Sequence, residues 1–173
     1  MDRPSPRDHP ATEDDDRLLG ECDMKFLRRS GPGGQNRNKV ETAVVLHHRP
    51  TGLGAEAHER RSQLENRYEA LRRLRFTLAI EVRRPVDPLA PPSPLWLSRL
   101  KGGRMAVSPE HEDLPLLLAE ALDVLADRGL DMKAAGDALG CSPSQLVKLF
   151  KVEPKVFARV NRDRAARGLR PLL

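Results

Sequence analysis

Hydrophobic residues change their spacing along the chain, and each change marks an element. From Cys22 to Arg29, Met24 and Phe26 alternate with Asp23 and Lys25, the period of a strand with one covered face. Residues Ala43 to His48 (AVVLHH) are β-branched and apolar, Pro50-Thr51-Gly52 supplies turn chemistry, and Leu53 to Ala57 returns as a paired strand. At Ser62 the period lengthens. Leu64, Tyr68, Leu71, Leu74 and Leu78 recur at three- and four-residue steps with arginines between them, which predicts a helix to about Val82 lying over a small antiparallel sheet.

The run PVDPLAPPSP then places five prolines in ten residues, a composition that can neither extend a helix nor enter a sheet interior. Trp96 to Val107 shows no clear period, although Gly102-Gly103 suggests a turn between two short segments. Leucine spacing predicts a helix from about Asp113 to Arg128, closed by Gly129 as a left-handed cap. MKAAGDALG is a short helix ending at Gly140. Ser142-Pro143-Ser144-Gln145 opens another, with an N-cap Ser, a Pro at the first helical position and a Gln three residues after the cap. Two short helices about a glycine turn make a helix-turn-helix pattern, and a last helix runs from Pro154 to about Gly168.

The expected fold is α+β. A disordered N-terminus spans residues 1–13, and a sheet-and-helix domain spans 14–84, entered by a short helix near Asp14. A Pro-rich linker spans 85–95, and an all-α, helix-turn-helix-like domain spans 96–173.

Charge sharpens this picture. Lys25 to Arg84 holds 14 basic and 6 acidic residues, net +8, whereas residues 1–24 hold 3 and 8, net −5, so the positive field surrounds the 30–42 stretch. A polyanion such as nucleic acid suits that field, and so does a plain solvated arginine-rich helix face. Cys22 and Cys141 lie too far apart to form a metal-ligand spacing or a disulfide framework, and no metal or cofactor is expected. No apolar run is long enough to cross a membrane, and the Pro- and Asp-rich start does not read as a secretion signal; a cytoplasmic location and a monomer are expected.

The candidate chemistry lies in SGPGGQNRNKVET, residues 30–42. Its glycines predict a backbone that must approach something closely. Neither the GxxxxGK spacing of a phosphate-cradling loop nor the GxGxxG of a dinucleotide fold is present. The run resembles the catalytic domain of class I peptide chain release factors and the related ribosome-rescue peptidyl-tRNA hydrolases. The resemblance is carried by Arg29-Ser30-Gly31-Pro32-Gly33-Gly34-Gln35, Asn38-Lys39-Val40-Glu41-Thr42-Ala43-Val44, His48, Pro50-Thr51-Gly52 and Glu59 through Arg67, and it covers roughly residues 22–82.

The resemblance implies hydrolysis of the ester that joins a nascent peptide to the 3′ ribose of P-site tRNA, with the loop entering the peptidyl transferase centre of large-subunit ribosomal RNA. Gly33, Gly34 and Gln35 would form the working loop. The Gln35 main-chain N–H would stabilise developing negative charge, and its side chain would admit water and exclude larger nucleophiles. Arg28, Arg29, Arg37 and Lys39, with Arg60, Arg61 and Arg67, would meet RNA phosphates without reading sequence. His47, His48 and His58 read as ordinary strand or surface histidines.

Decoding release factors carry a codon-reading domain with a PxT or SPF tripeptide ahead of this domain. Only about 21 residues precede the first strand here, so codon-independent rescue is the expectation. The C-terminal module stays open between three readings: a DNA-reading helix-turn-helix using Ser144, Gln145 and Lys148; an RNA- or ribosome-docking unit using Arg159, Arg162 and Arg164; and a bundle with a core of Ala134, Ala135, Leu139, Leu146, Leu149 and Phe150. The competing function is a nucleic-acid-binding regulator with a non-catalytic release-factor-like domain.

Overall fold

The structure is a computed structural model that describes residues 9–28 and 41–173. The chain divides into two compact units, Pro10–Leu78 and Ala79–Leu173, the second also taking in His9; the division falls inside a helix.

In the N-terminal unit, acidic residues start the first helix as the sequence predicts. Asp14 caps α1 (Asp15–Gly20) by accepting from the Arg17 N–H at 2.9 Å. Strands β1 (Cys22–Leu27), β2 (Ala43–His48) and β3 (Leu53–Ala57) form an antiparallel sheet in the order β1-β2-β3. Gly52 takes φ +71° in the β2–β3 turn, a conformation that suits glycine.

Helix α2 (Gln63–Glu81) corrects the predicted stripe: Leu71, Leu74 and Leu78 are buried, but Leu64 and Tyr68 are 56% and 60% exposed. The buried face instead follows Asn66, Ala70, Leu71, Leu74, Arg75 and Leu78, so two polar side chains occupy core positions. Both have partners. The Arg75 guanidinium donates to the Ala11 carbonyl and to Asp15, each at 2.7 Å. That contact orders a turn at Pro10–Thr12, with Pro10 and Ala11 buried, where the sequence predicts the end of a disordered leader. Burial of an arginine requires acceptors, and the leader supplies them.

The C-terminal unit contains α3 (Pro94–Arg99), a hairpin of β4 (Leu100–Lys101) and β5 (Arg104–Met105), α4 (Leu114–Asp127), α5 (Met132–Leu139), α6 (Pro143–Val152) and α7 (Pro154–Ala166). The hairpin corrects the all-α expectation. Gly102 and Gly103, at φ +55° and +74°, make its two-residue turn. Trp96 is fully buried and donates its indole N–H to the Leu139 carbonyl at 2.8 Å, tying α3 to the end of α5.

The Pro-rich stretch, read as a linker, is fastened to this unit. The Ser93 N–H and hydroxyl both donate to Glu120, and Arg128 donates to the Pro88 carbonyl. Of the six core residues predicted around the two short helices, Ala135, Leu139, Leu146, Leu149 and Phe150 are buried and Ala134 is partly exposed. Gly140 has the expected left-handed φ of +71°, whereas the Ser142 hydroxyl contacts Ser144 and caps no N–H.

Candidate functional site

The β1–β2 register places Leu27 opposite Ala43, so the connection between them leaves the sheet as two adjacent stems. The glycine loop runs between these stems in sequence. Gly33, Gly34 and Gln35, together with Arg29, Arg37 and Lys39, lie outside the described residues. Arg28, at the foot of the first stem, pairs with Glu41 on the second at 3.4 Å. Both side chains are exposed, so the pair guides the stems and adds little stability.

The first turn of α2 holds the second stem. The Gln63 side-chain amide donates to the Glu41 carbonyl at 2.9 Å. Asn66, fully buried, donates to the Thr42 carbonyl at 2.7 Å and to the Arg60 carbonyl at 3.0 Å, and its oxygen accepts the Arg60 N–H at 2.9 Å. One side chain thus joins the loop stem, the connection before α2 and the helix itself. A buried amide with both ends satisfied specifies geometry, because any shift of the stem strands a polar group away from water.

The connection is held further by Arg73, which pairs with Glu59 at 2.7 Å and Glu69 at 3.2 Å and donates to the Glu56 carbonyl at 2.7 Å. Burial acts to raise the Glu59 carboxyl, but Arg73 and the N–H groups of Glu59 and His58 outweigh it and hold the group down to about 2.

Around this clamp the charge is available for a partner. Arg60 and Arg61 are exposed, Arg67 is half-exposed, and none has a side-chain hydrogen bond or ion pair among the described residues. Four apolar side chains at the same end of the unit are also exposed: Phe26 and Leu27 where β1 meets the first stem, and Leu64 and Tyr68 on α2.

The opposite end of the sheet, where Cys22 faces His48, is self-satisfied. The buried His48 ring contacts the Thr51 hydroxyl at 2.8 Å and Glu21 at 3.1 Å, which closes the β2–β3 turn onto the end of α1. Histidine, hydroxyl and carboxylate together resemble a catalytic set. They lie at the sheet end remote from the loop stems, and Thr51 also accepts the Leu53 N–H, so the arrangement fastens a turn.

The C-terminal basic residues separate into two kinds. Arg159 pairs with Glu81 and Asp163, and Arg164 donates to the Leu130 carbonyl at 2.6 Å and the Arg170 carbonyl at 2.9 Å. These two hold the fold. Arg162 is exposed and has no such partner among the described residues. In the sequence all three stand on one basic helix that the RNA-docking reading would turn to a partner, and no local pattern assigns a role to Gln63 or Arg73. One signal for Asn66 was present: counting back by fours from Leu78 and Leu74 through Ala70 reaches Asn66, a polar residue on the core face.

The RF-1 domain family matches residues 19–86. The chain is 50% identical over 60 residues to the chloroplastic peptide chain release factor PrfB1 of Arabidopsis thaliana, a match covering 35% of this chain and 13% of that protein. It is 45% identical over 71 residues to peptide chain release factor 1 of Chloroherpeton thalassium, covering 40% and 20%, and 42% identical over 76 residues to that of Acidiphilium cryptum, covering 43% and 22%. The chain therefore spans about a fifth or less of the length of these relatives. No solved structure matches it significantly. Over residues 19–86 the chain carries a domain of the class I release-factor-like family, and the Gly33-Gly34-Gln35 loop lies within that stretch.

No group of His, Cys, Asp and Glu among the described residues is arranged to hold a metal, and no helix among them is long and apolar enough to cross a membrane.

Proposed function

We propose that the protein hydrolyses the peptidyl-tRNA ester on the ribosome without reading a codon, its glycine loop entering the peptidyl transferase centre. The observation that carries this reading is the union of an intact Gly33-Gly34-Gln35 run, inside an RF-1 domain, with a second stem fastened to α2 by Asn66 and Gln63. A loop that must place a backbone N–H to within a fraction of an ångström needs rigid footing, and α2 supplies it.

Glycines at 33 and 34 let the main chain enter a crowded RNA cavity. The Gln35 N–H then donates to the oxygen that gains negative charge as water attacks the ester carbonyl. The bond to the ribose oxygen breaks, the peptide leaves as an acid, and the tRNA 3′ hydroxyl recovers a proton. Arg28, Arg29, Arg37, Lys39, Arg60, Arg61 and Arg67 bind flanking ribosomal RNA phosphates.

Pro10-Ala11-Thr12 has the letters of a PxT tripeptide, but Pro10 and Ala11 are buried and the Ala11 carbonyl accepts from Arg75, so this tripeptide is not itself an exposed reading tip. The test is single-turnover release of labelled formyl-methionine from ribosomes carrying initiator tRNA, with an empty A site, a sense codon or a stop codon. Comparable release in all three by wild type, and release slowed by about two orders of magnitude or more in Gly34→Ala, is expected. Absence of release in tubes where ribosome binding is confirmed would sink the reading, and release confined to the stop codon would replace it with a decoding function.

A further inference from the structure

The C-terminal unit holds a groove to which hydrolysis assigns no role. It is an open, shallow concavity of about 530 Å³ between the hairpin tip, Gly102–Arg104, and the α5–α6 turn, where Gly136, Cys141, Ser142 and Gln145 line it. Its walls are set by close packing. A Cβ on Gly136 would stand 2.6 Å from the Cys141 carbonyl, and the Leu100 side chain lies 3.5 Å from the corresponding position on Gly140. Gly136 therefore lets α5 pack against the turn that follows it more closely than a side chain would allow, while the Gly140 position is in ordinary contact with Leu100 of the hairpin.

The charge around the groove is one-sided. Lys101 and Arg104 on the hairpin and Lys148 and Lys151 on α6 are exposed, with no ion pair among the described residues; Lys151 rests over the Phe157 ring at 5.3 Å. Asp137, the acid on the groove wall, is paired with Lys133 at 2.8 Å. This differs from the arginines of the same unit, where Arg83, Arg99, Arg128 and Arg159 all bind acids. Gln145 lines the groove, and Lys148 follows it on the same face of α6.

We propose that this groove binds the sugar–phosphate backbone of double-stranded RNA. Single strands are disfavoured because the unit has no open stacking surface: Trp96 and Phe150 are buried, and Phe157 is half-covered beneath Lys151. Insertion of α6 into the major groove of B-form DNA requires its N-terminal end to be clear, and the hairpin tip stands beside that end at Ser142 and Gln145. What is left is an open surface across which one backbone strand can lie, with Arg104 in the groove and Lys101 and Lys148 exposed on the neighbouring hairpin and helix for phosphates, and Gln145 and Ser142 for 2′-hydroxyls, the recognition that A-form duplexes invite. This binding is separate from ester hydrolysis and stands whether or not the glycine loop is catalytic.

Cys141 provides the local probe, since it lines the groove while Cys22 is buried with its thiol donating to the Leu18 carbonyl. Burial pushes the Cys141 thiol up, so alkylation of the full-length protein is followed at mildly alkaline pH. The rate is compared without ligand, with a mixed-sequence RNA duplex of about 16 base pairs, and with the DNA duplex of the same sequence. RNA is expected to slow Cys141 alkylation several-fold and DNA much less. Arg104→Glu and Lys148→Glu should each remove the protection, and the neutral Lys148→Gln should lower the slope of log affinity against log salt by about one. Bound duplex without protection of Cys141, equal protection by DNA, or charge reversals with no effect would each overturn the proposal. Both side chains, Arg104 and Lys148, are on the surface, and circular dichroism confirms folding of each variant.

Discussion

Arg60, Arg61 and Arg67, around the first turns of α2, have no side-chain partners among the described residues, whereas Arg159 and Arg164 on α7 are spent on Glu81, Asp163 and two carbonyls. In the sequence the two clusters look alike. The structure leaves one exposed and unpaired among the described residues and makes the other a set of internal braces, so local net charge is a poor guide to the field a partner meets. Arg164 shows why. Leu130 takes a left-handed φ of 67° after α4, and Arg164 reaches back to hold its carbonyl.

The contrast can be broken most strongly at the glycine loop, between residues 28 and 41 in sequence. Gly34→Ala should cut peptide release by about two orders of magnitude or more, the scale of losing one oxyanion donor, while ribosome binding measured by pelleting stays near wild type. A parallel loss of binding would mean that the loop itself anchors the protein.

Asn66→Ala tests the footing. It strands the Thr42 and Arg60 carbonyls and the Arg60 N–H, so the N-terminal unit should lose about 2 kcal/mol or more in urea unfolding. At temperatures where the variant remains folded, release should fall with ribosome binding retained; unchanged release would remove Asn66 from the positioning of the loop.

The arginines are compared directly by Arg164→Ala and Arg162→Ala. The first should destabilise the C-terminal unit by about 1 kcal/mol through two lost charged hydrogen bonds, and the second should stay within about 0.5 kcal/mol. Equal effects in thermal melts would erase the distinction between brace and surface.

The smallest effect concerns pH. Asp123 bonds Arg83 and the Arg84 N–H, each at 3.0 Å, yet burial lifts its carboxyl to about 6, and burial also pushes Arg83 down. Desolvation therefore outweighs attraction in this pair. Because the folded value lies above the unfolded one, the folded state binds the extra proton between about pH 6 and 4, and stability rises as pH falls through that window. From pH 7 to 5 the gain should be about 1 kcal/mol, and Asp123→Asn should abolish it.

Regular elements were legible where a single period dominated. The strands Ala43–His48 and Leu53–Ala57, the glycine caps at 129 and 140, and α4 through α7 fall within a few residues of the pattern. Legibility failed where a polar side chain took a core position or an irregular segment found a partner. Leu64 and Tyr68 continue the leucine spacing but face solvent, because the first turn of α2 buries Asn66 against the loop stem. Trp96, in a stretch without period, became a fully buried core residue by giving its N–H to Leu139.

By itself the sequence determined the glycine loop, the RF-1 resemblance, the basic field and the types of most elements, since period, turn chemistry and motif spacing are local properties of the chain. Only the tertiary structure decided that Asn66 fastens the loop stem, that Arg75 orders the residues before α1, that Arg159 and Arg164 are braces, and that a glycine-lined groove opens beside α6. Each of these rests on partners far apart in sequence. A polar group's role is set by the acceptor or donor that the fold brings to it, and no local pattern records which one that will be.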